Sequence, residues 1–161
     1  MKNIGDKIPL DIPVVDKDTK SVLLKDFLTS KYLVLYFYPK DETPGCTDEA
    51  CSFRDNNEAL IKLGARVVGV SSDSQRSHGK FIKKENLNFE LLSDATHALQ
   101  EEFGIWAEKN MFGKLYMGTL RTTYLIDTKG EILEIWGGLT ENKVSTKIHA
   151  EEVAEKIKSL K

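Results

Sequence analysis

Cysteine is nearly missing from this chain: two residues in 161, Cys46 and Cys51, too few to staple a fold. A chain of this length needs no staple, because it can bury roughly 70% of the surface its unfolded form exposes. The length implies one domain spanning 1–161. An excess of charge is missing too. With 23 basic residues against 25 acidic ones the formal charge is -2, which excludes the basic surface that nucleic acid or an anionic membrane would call for. The longest apolar run, Tyr32–Tyr38, falls far short of the roughly 20 residues that cross a bilayer. The opening MKNIGDKIPL holds no apolar h-region, so no secretory signal is expected and a cytoplasmic setting is. Thiols kept in such a reducing compartment are more often catalytic, redox-sensing or metal-binding than structural.

What the chain has instead is a regular alternation of apolar runs and amphipathic segments. YLVLYFY (Tyr32–Tyr38) and RVVGVSS (Arg66–Ser72) are β-branched or aromatic runs of the kind that form strands buried on both faces. Between them a 3.6-residue period over Thr47–Leu63 places Ala50, Phe53, Leu60 and Leu63 on one inward stripe. The three segments make a crossover β-α-β unit. A polar segment follows over Ser77–Leu87, then a short strand at FELLSD, a helix over Ala95–Phe103, and a hairpin in TTYLID-TKG-EILEIWGG that turns at Asp127–Gly130. HAEEVAEKIKSL closes the chain as an amphipathic helix. Strands alternating with helices and ending in an antiparallel hairpin specify an α/β layered fold with a mixed sheet. The weakly alternating segment up to Phe27 is placed as a peripheral hairpin. Trp106, Met111, Phe112, Tyr116 and Met117, punctuated by glycine, read equally as a pocket rim or as plain packing. His78, His97 and His149 are too scattered to point to a shared site, and Lys80, Lys83 and Lys84 form a solvated helix face.

Both thiols lie in YPKDETPGCTDEACSFRD, Tyr38–Asp55. Pro44 and Gly45 read as the turn after the first central strand, which puts Cys46 at the start of the next helix. The carboxyl edge of a parallel strand and the amino end of the following helix are where α/β folds build their sites. Unpaired amides and the helix dipole there favour an anion, so a thiol at Cys46 gives up its proton more readily. Asp48 and Glu49 act against that thiolate, so a cation is expected nearby. Cys51, on an intact helix, would stand about 7.5 Å along the axis and about 140° around it, a Cα separation of roughly 8.6 Å. A disulfide needs less than about 7 Å. Bonding the two therefore requires the first turn to unwind: the segment is helical when reduced and locally open when oxidised. Zinc tolerates the C-x4-C spacing, but no H-x3-5-H or second C-x-x-C supplies further ligands. A redox-sensing or holdase module whose helix opens on oxidation is a second alternative, and a disulfide reductase is disfavoured by the missing C-x-x-C.

Pro39, Thr43 and Cys46 reproduce the P-x-x-x-T-x-x-C signature of peroxiredoxins, and with Cys51 five positions on the chain resembles their bacterioferritin-comigratory (BCP, or PrxQ) group. The resemblance continues through Ser71-Ser72-Asp73, Ser77-His78, Leu91-Leu92-Ser93-Asp94, Met117-Gly118, Arg121-Thr122-Thr123 and His149-Ala150-Glu151-Glu152. Only the opening KIPLDIP departs from the group's usual Ala-Pro-Asp-Phe type. The resemblance implies a thioredoxin-like fold, no cofactor and no metal. Cys46 is then the peroxidatic nucleophile, Thr43 offers its hydroxyl to thiolate and peroxide, and Pro39 shields the pocket from water. Arg121 becomes the expected cation, with Glu49 orienting it. Cys51 becomes the resolving cysteine, condensing with a Cys46 sulfenic acid into an intrachain disulfide that thioredoxin or a similar dithiol reduces. Hydrogen peroxide and small organic hydroperoxides are the implied substrates. Neither nucleic acid nor membrane is an expected partner, and because intrachain resolution requires no second subunit the expected state is a monomer.

Overall fold

The computed structural model describes residues 1–160. In chain order the elements are β1 (Val14–Val15), β2 (Ser21–Val22), β3 (Tyr32–Phe37), α1 (Pro44–Lys62), β4 (Ala65–Ser71), α2 (Gln75–Glu85), β5 (Glu90–Ser93) and α3 (Ala98–Phe103). They continue with β6 (Trp106–Met111), β7 (Lys114–Thr119), β8 (Thr122–Ile126), β9 (Ile132–Gly137) and α4 (His149–Ser159). Seven strands form one sheet in the order β2-β1-β5-β4-β3-β8-β9. Strands β3, β4 and β5 run parallel, while β8, β9 and β1 join antiparallel, which is the mixed sheet the alternation predicts.

The two-residue period of β3 organises the interior. Tyr32, Val34, Tyr36 and Tyr38 point into the core under α1 and α4, and Leu33, Leu35 and Phe37 point into the opposite core with Leu99 and Phe103 of α3. Both faces are covered, so β3 is buried along its whole length. Helix α1 seats Ala50, Phe53 and Leu60, three of the four residues of the predicted stripe, and leaves Leu63 half-buried at its end. Phe53 stacks on Tyr36 with ring centroids 4.7 Å apart.

One sequence expectation gains detail and another is decided. The N-terminal hairpin stands at the edge of the main sheet: β1 pairs with β2 and, through Val15 and Ser93, with β5, and Val14 and Val22 send apolar side chains into the α3-side core. The glycine-punctuated stretch is a separate hairpin, β6–β7, turning at Phe112 and Gly113 with φ of 54° and 82°. Two left-handed residues give the tight turn that matches strand twist. Met111, Phe112, Leu115, Tyr116 and Met117 are exposed there, so plain packing does not describe them.

Gly69 in β4 lies beneath this stack: an added Cβ would come within 2.7 Å of Leu91 Cδ2 and 2.9 Å of the Tyr36 ring. Gly69→Ala is expected to cost about 1–3 kcal/mol through overpacking. Urea unfolding that placed the variant within error of wild type would show that Tyr36 and Leu91 yield freely.

Candidate active site

The chain leaves β3 through Tyr38 and the half-buried Pro39 and crosses a short loop to Thr43, whose extended backbone caps α1. Pro44 and Gly45 are the first residues of that helix, not a turn before it. Proline suits the first helical position because its fixed φ is helical and its missing N–H would lack a partner there anyway. Gly45 answers a need for space: a Cβ on it would lie 3.2 Å from Arg121 Nη2. The loop is pinned by Asp41, a buried carboxyl that accepts from the Tyr38 hydroxyl at 2.5 Å and from Ser77 Oγ at 2.7 Å, and meets His78 Nδ1 at 2.8 Å. The Asp41 amide donates to Asp73 at 2.8 Å, and His78 Nε2 donates to the Leu92 carbonyl at 3.0 Å. Asp41, Asp73 and His78 have metal-ligand chemistry and mutual reach, but their converging atoms are committed to these hydrogen bonds, which makes the cluster a clamp on the loop.

The third position of α1 is Cys46, buried to 1% exposure. Arg121, just before β8, reaches it from the neighbouring strand: Nη2 lies 3.3 Å from Cys46 Sγ and Nη1 donates to Glu49 Oε1 at 2.6 Å. The arginine backbone is held as well, its carbonyl accepting from Gly138 N at 2.9 Å. Gly137 permits the approach, since a Cβ there would sit 2.2 Å from that oxygen. Burial disfavours the guanidinium charge, but Glu49 and Cys46 more than offset it. Thr43 departs from expectation. Its hydroxyl donates to the Lys40 carbonyl at 2.8 Å, so the proton is spent in the loop and what remains for the site is an acceptor oxygen.

Glu49 has no exposed surface, and burial pushes its carboxyl up to about 7 although Arg121 pulls the other way. Desolvation outweighs the guanidinium because the carboxyl is wholly buried. The second carboxyl oxygen has no hydrogen-bond partner and stands 4.0 Å from His149 Nε2. That histidine bonds Thr123 Oγ1 at 2.8 Å and Glu152 at 3.0 Å, and burial lowers its pKa. Lys109 of β6 donates to the Thr119 carbonyl at 3.0 Å, and burial, with the Arg121 charge, lowers its pKa as well.

Cys51 sits in different surroundings. It is a free thiol like Cys46, and both lie on one unbroken helix. Its Sγ faces Glu85 Oε1 at 3.6 Å, and its pKa is raised, first by burial and then, against the pull of Arg54, by Glu85. The two thiols face opposite charges, which is not the convergence a shared zinc ion requires. A wide concavity lined by Asn57, Ile61, Arg66, Leu87 and Phe89 runs beside the far half of α1 and includes neither cysteine.

This geometry has relatives. The model of the AhpC/TSA family matches residues 4–135, and Peroxiredoxin Bcp of Bacillus subtilis (strain 168) is 47% identical over 157 residues, 98% of this chain and 96% of that one. The chain belongs to the AhpC/TSA family, in its BCP/PrxQ peroxiredoxin group. Peroxiredoxin Bcp of Escherichia coli (strain K12) is also 47% identical, over 121 residues that are 75% of this chain and 77% of the relative. A solved Cys-to-Ser variant of Xylella fastidiosa PrxQ superimposes with a TM-score of 0.88 at 36% identity, covering 99% of this peroxiredoxin and 98% of that chain. The bacterioferritin comigratory protein of Xanthomonas campestris follows with a TM-score of 0.83 at 35% identity over 96% and 99%. The thioredoxin-like fold is thereby established, and the protein is an enzyme, a peroxidase. Among the described residues no helix is long and apolar enough to cross a membrane.

Of the residues singled out in the sequence, Cys46, Arg121 and Glu49 meet directly, Pro39 and Thr43 lie in the loop that leads from β3 to α1, and Cys51 stands apart. Sequence reasoning missed Asp41, Lys109, Glu85 and the part played by His149. Asp41 and His78 could have been found only by pairing one loop with the start of a helix beyond a crossover.

A raised carboxyl pKa has a definite sign. The folded state prefers the protonated form, so the stabilisation is complete below the ordinary value of 4.5 and is lost as pH rises to about 7. Reduced wild type should therefore lose on the order of 3 kcal/mol against Glu49→Gln between those limits, at about 1.4 kcal/mol per unit. Urea titrations of both proteins at pH 5 and pH 7 measure the difference, and parallel behaviour would place Glu49 as a permanent carboxylate.

Proposed function

We propose that this peroxidase reduces hydrogen peroxide and small organic hydroperoxides through Cys46, that Cys51 resolves the sulfenic acid as an intrachain disulfide, and that thioredoxin or a similar dithiol restores the pair. The observation that carries the reading is the guanidinium of Arg121 set 3.3 Å from Cys46 Sγ and fixed from behind by Glu49. Alkyl peroxide reduction is described for the Xanthomonas campestris relative, and the same substrate class suits a site whose sulfur is buried while Arg121 keeps a side-chain exposure of 23%. A peroxide enters along the arginine. Pro39 keeps bulk water off the sulfur, and the Thr43 oxygen accepts the peroxide O–H.

Ionising the sulfur is the smaller part of such catalysis. Lowering a thiol pKa from about 8.5 to about 6 raises the thiolate fraction at pH 7 roughly 30-fold, but a Brønsted slope of about 0.45 returns roughly 13-fold of that as weaker nucleophilicity. The net gain is about twofold. Donors aimed at the breaking O–O bond must supply the rest, and Arg121 is the donor in place. Arg121→Lys keeps a charge and loses the fork, so the second-order rate with peroxide should fall about 100-fold. Stopped-flow traces in which the variant kept wild-type speed would remove Arg121 from the reaction.

Resolution is governed by the helix. Condensation needs Cys51 within bonding reach of Cys46, so the start of α1 unwinds on oxidation and re-forms on reduction. Circular dichroism or hydrogen exchange across Pro44–Lys62 should report that loss, and identical protection in both redox states would refute it. Turnover with a thioredoxin system separates the roles: Cys46→Ser should be inactive, and Cys51→Ser should oxidise once and then depend on an added thiol. A redox-sensing module without turnover would consume one equivalent of peroxide and no more.

A further inference from the structure

Two buried acids face one guanidinium that is itself partly exposed. Cys46 has 1% of its surface exposed and Glu49 0%, while Arg121 divides its donors between them at 3.3 Å and 2.6 Å. The other groups around Glu49 bring no second full charge. From α4, His149 stands 4.0 Å away and burial favours its neutral form. From β3, the Tyr36 hydroxyl is buried without a partner, and burial holds it protonated. From β6, Lys109 acts on Arg121 and Cys46 rather than on Glu49, and burial disfavours its charge. The second oxygen of Glu49 has no partner. An unpaired, buried carboxylate oxygen carries charge that nothing solvates, whereas a neutral carboxyl carries far less.

We propose that Glu49 holds a proton while Cys46 is reduced and releases it as the sulfur is oxidised, so that the site itself supplies the proton the peroxide reaction consumes. The proposal rests on Cys46 being the peroxidatic sulfur. In the step, the thiolate attacks one peroxide oxygen, the S–O bond forms and the O–O bond breaks. Sulfur is oxidised to the sulfenic acid, peroxide is reduced, and the departing hydroxide becomes water by taking one proton. With the sulfur neutral, Arg121 faces a single acid, and Glu49 ionises against it. Thiolate, carboxyl and hydrogen peroxide become sulfenic acid, carboxylate and water, with no proton drawn from solvent. Condensation with the neutral thiol of Cys51 then releases water and moves no further proton.

The experiment counts protons. Reduced protein in weak buffer with a pH indicator is mixed with one equivalent of hydrogen peroxide, while thiolate absorbance in the ultraviolet and the mass of the product are followed. At pH 6 wild type should show a thiolate that disappears with almost no proton uptake per peroxide, and the uptake should rise to one above pH 8. Glu49→Gln should show a thiolate and take up one proton per peroxide throughout. A merely structural role for the carboxyl would leave the counts of the two proteins equal. Uptake of one proton by wild type at pH 6, absence of its thiolate there, or zero uptake by Glu49→Gln each overturns the proposal. If Glu49→Gln does not fold, the wild-type count and absorbance decide alone. A product without an added oxygen on Cys46 or a Cys46–Cys51 disulfide overturns the peroxidatic reading beneath it, and mass distinguishes that failure from a wrong proton count.

Discussion

A single guanidinium shared by a thiol and a carboxyl is the constraint on which the rest of this structure turns. Arg121 supplies one positive charge, two acids face it inside the protein, and burial forbids leaving both uncompensated. Much of the surrounding construction serves to hold that triangle. Gly45 leaves room for the guanidinium, Gly137 and Gly138 hold the arginine main chain, and Asp41 locks the loop that delivers Cys46 to the helix start. These residues come from three separate stretches of chain, so the sheet is what brings them together: β8 lies beside β3 in antiparallel register, with Thr122 opposite Phe37. Arg121 therefore enters at the edge where Cys46 leaves.

Helix α1 imposes the second constraint. It is a rigid spacer that keeps Cys51 away from Cys46, yet it is anchored unevenly. Ser52 Oγ accepts from the Ala150 amide at 3.0 Å, and Phe53 is stacked on Tyr36. Both anchors lie just beyond Cys51. On the proposed mechanism the helix frays from Pro44 as far as Cys51 and stops there, because going further would expose a fully buried aromatic ring worth about 1.5–3 kcal/mol of transfer free energy. Fraying also draws the wholly buried Glu49 and Ala50 into water. The Glu49 carboxyl gains from that transfer once ionised, so oxidation and opening favour each other.

The sequence made the sulfur chemistry legible because that chemistry is local. Cys46, Thr43 and Pro39 lie within one loop and one helix start, and the five-residue step to Cys51 fixes a separation by helix geometry alone. The need for a cation was legible as well, since Asp48 and Glu49 stand beside the thiol. Arg121 itself came only through family resemblance. The N-terminal hairpin was legible only as a weak alternation because β1 and β2 have two residues each, too few to fix a period, and their pairing at the sheet edge is with β5, far along the chain. The β6–β7 hairpin eluded the reading because its turn is Phe112-Gly113, an aromatic where turn chemistry leads one to expect asparagine or aspartate. Thr43 was assigned a donor role that the Lys40 carbonyl, three residues upstream, already takes.

The two cysteines are set by opposite electrostatics, and on the proposed mechanism this orders events in time. Cys46 faces a guanidinium, whereas Cys51 faces the Glu85 carboxylate at 3.6 Å and is held as a neutral thiol. A neutral thiol is a poor nucleophile toward peroxide, so the closed helix leaves only one sulfur competent to react with it. On that mechanism, opening the helix takes Cys51 away from Glu85 and presents its thiol to the sulfenic acid. A single conformational step would thus bring the second sulfur within reach and relieve the charge that keeps it inert, which orders resolution after oxidation.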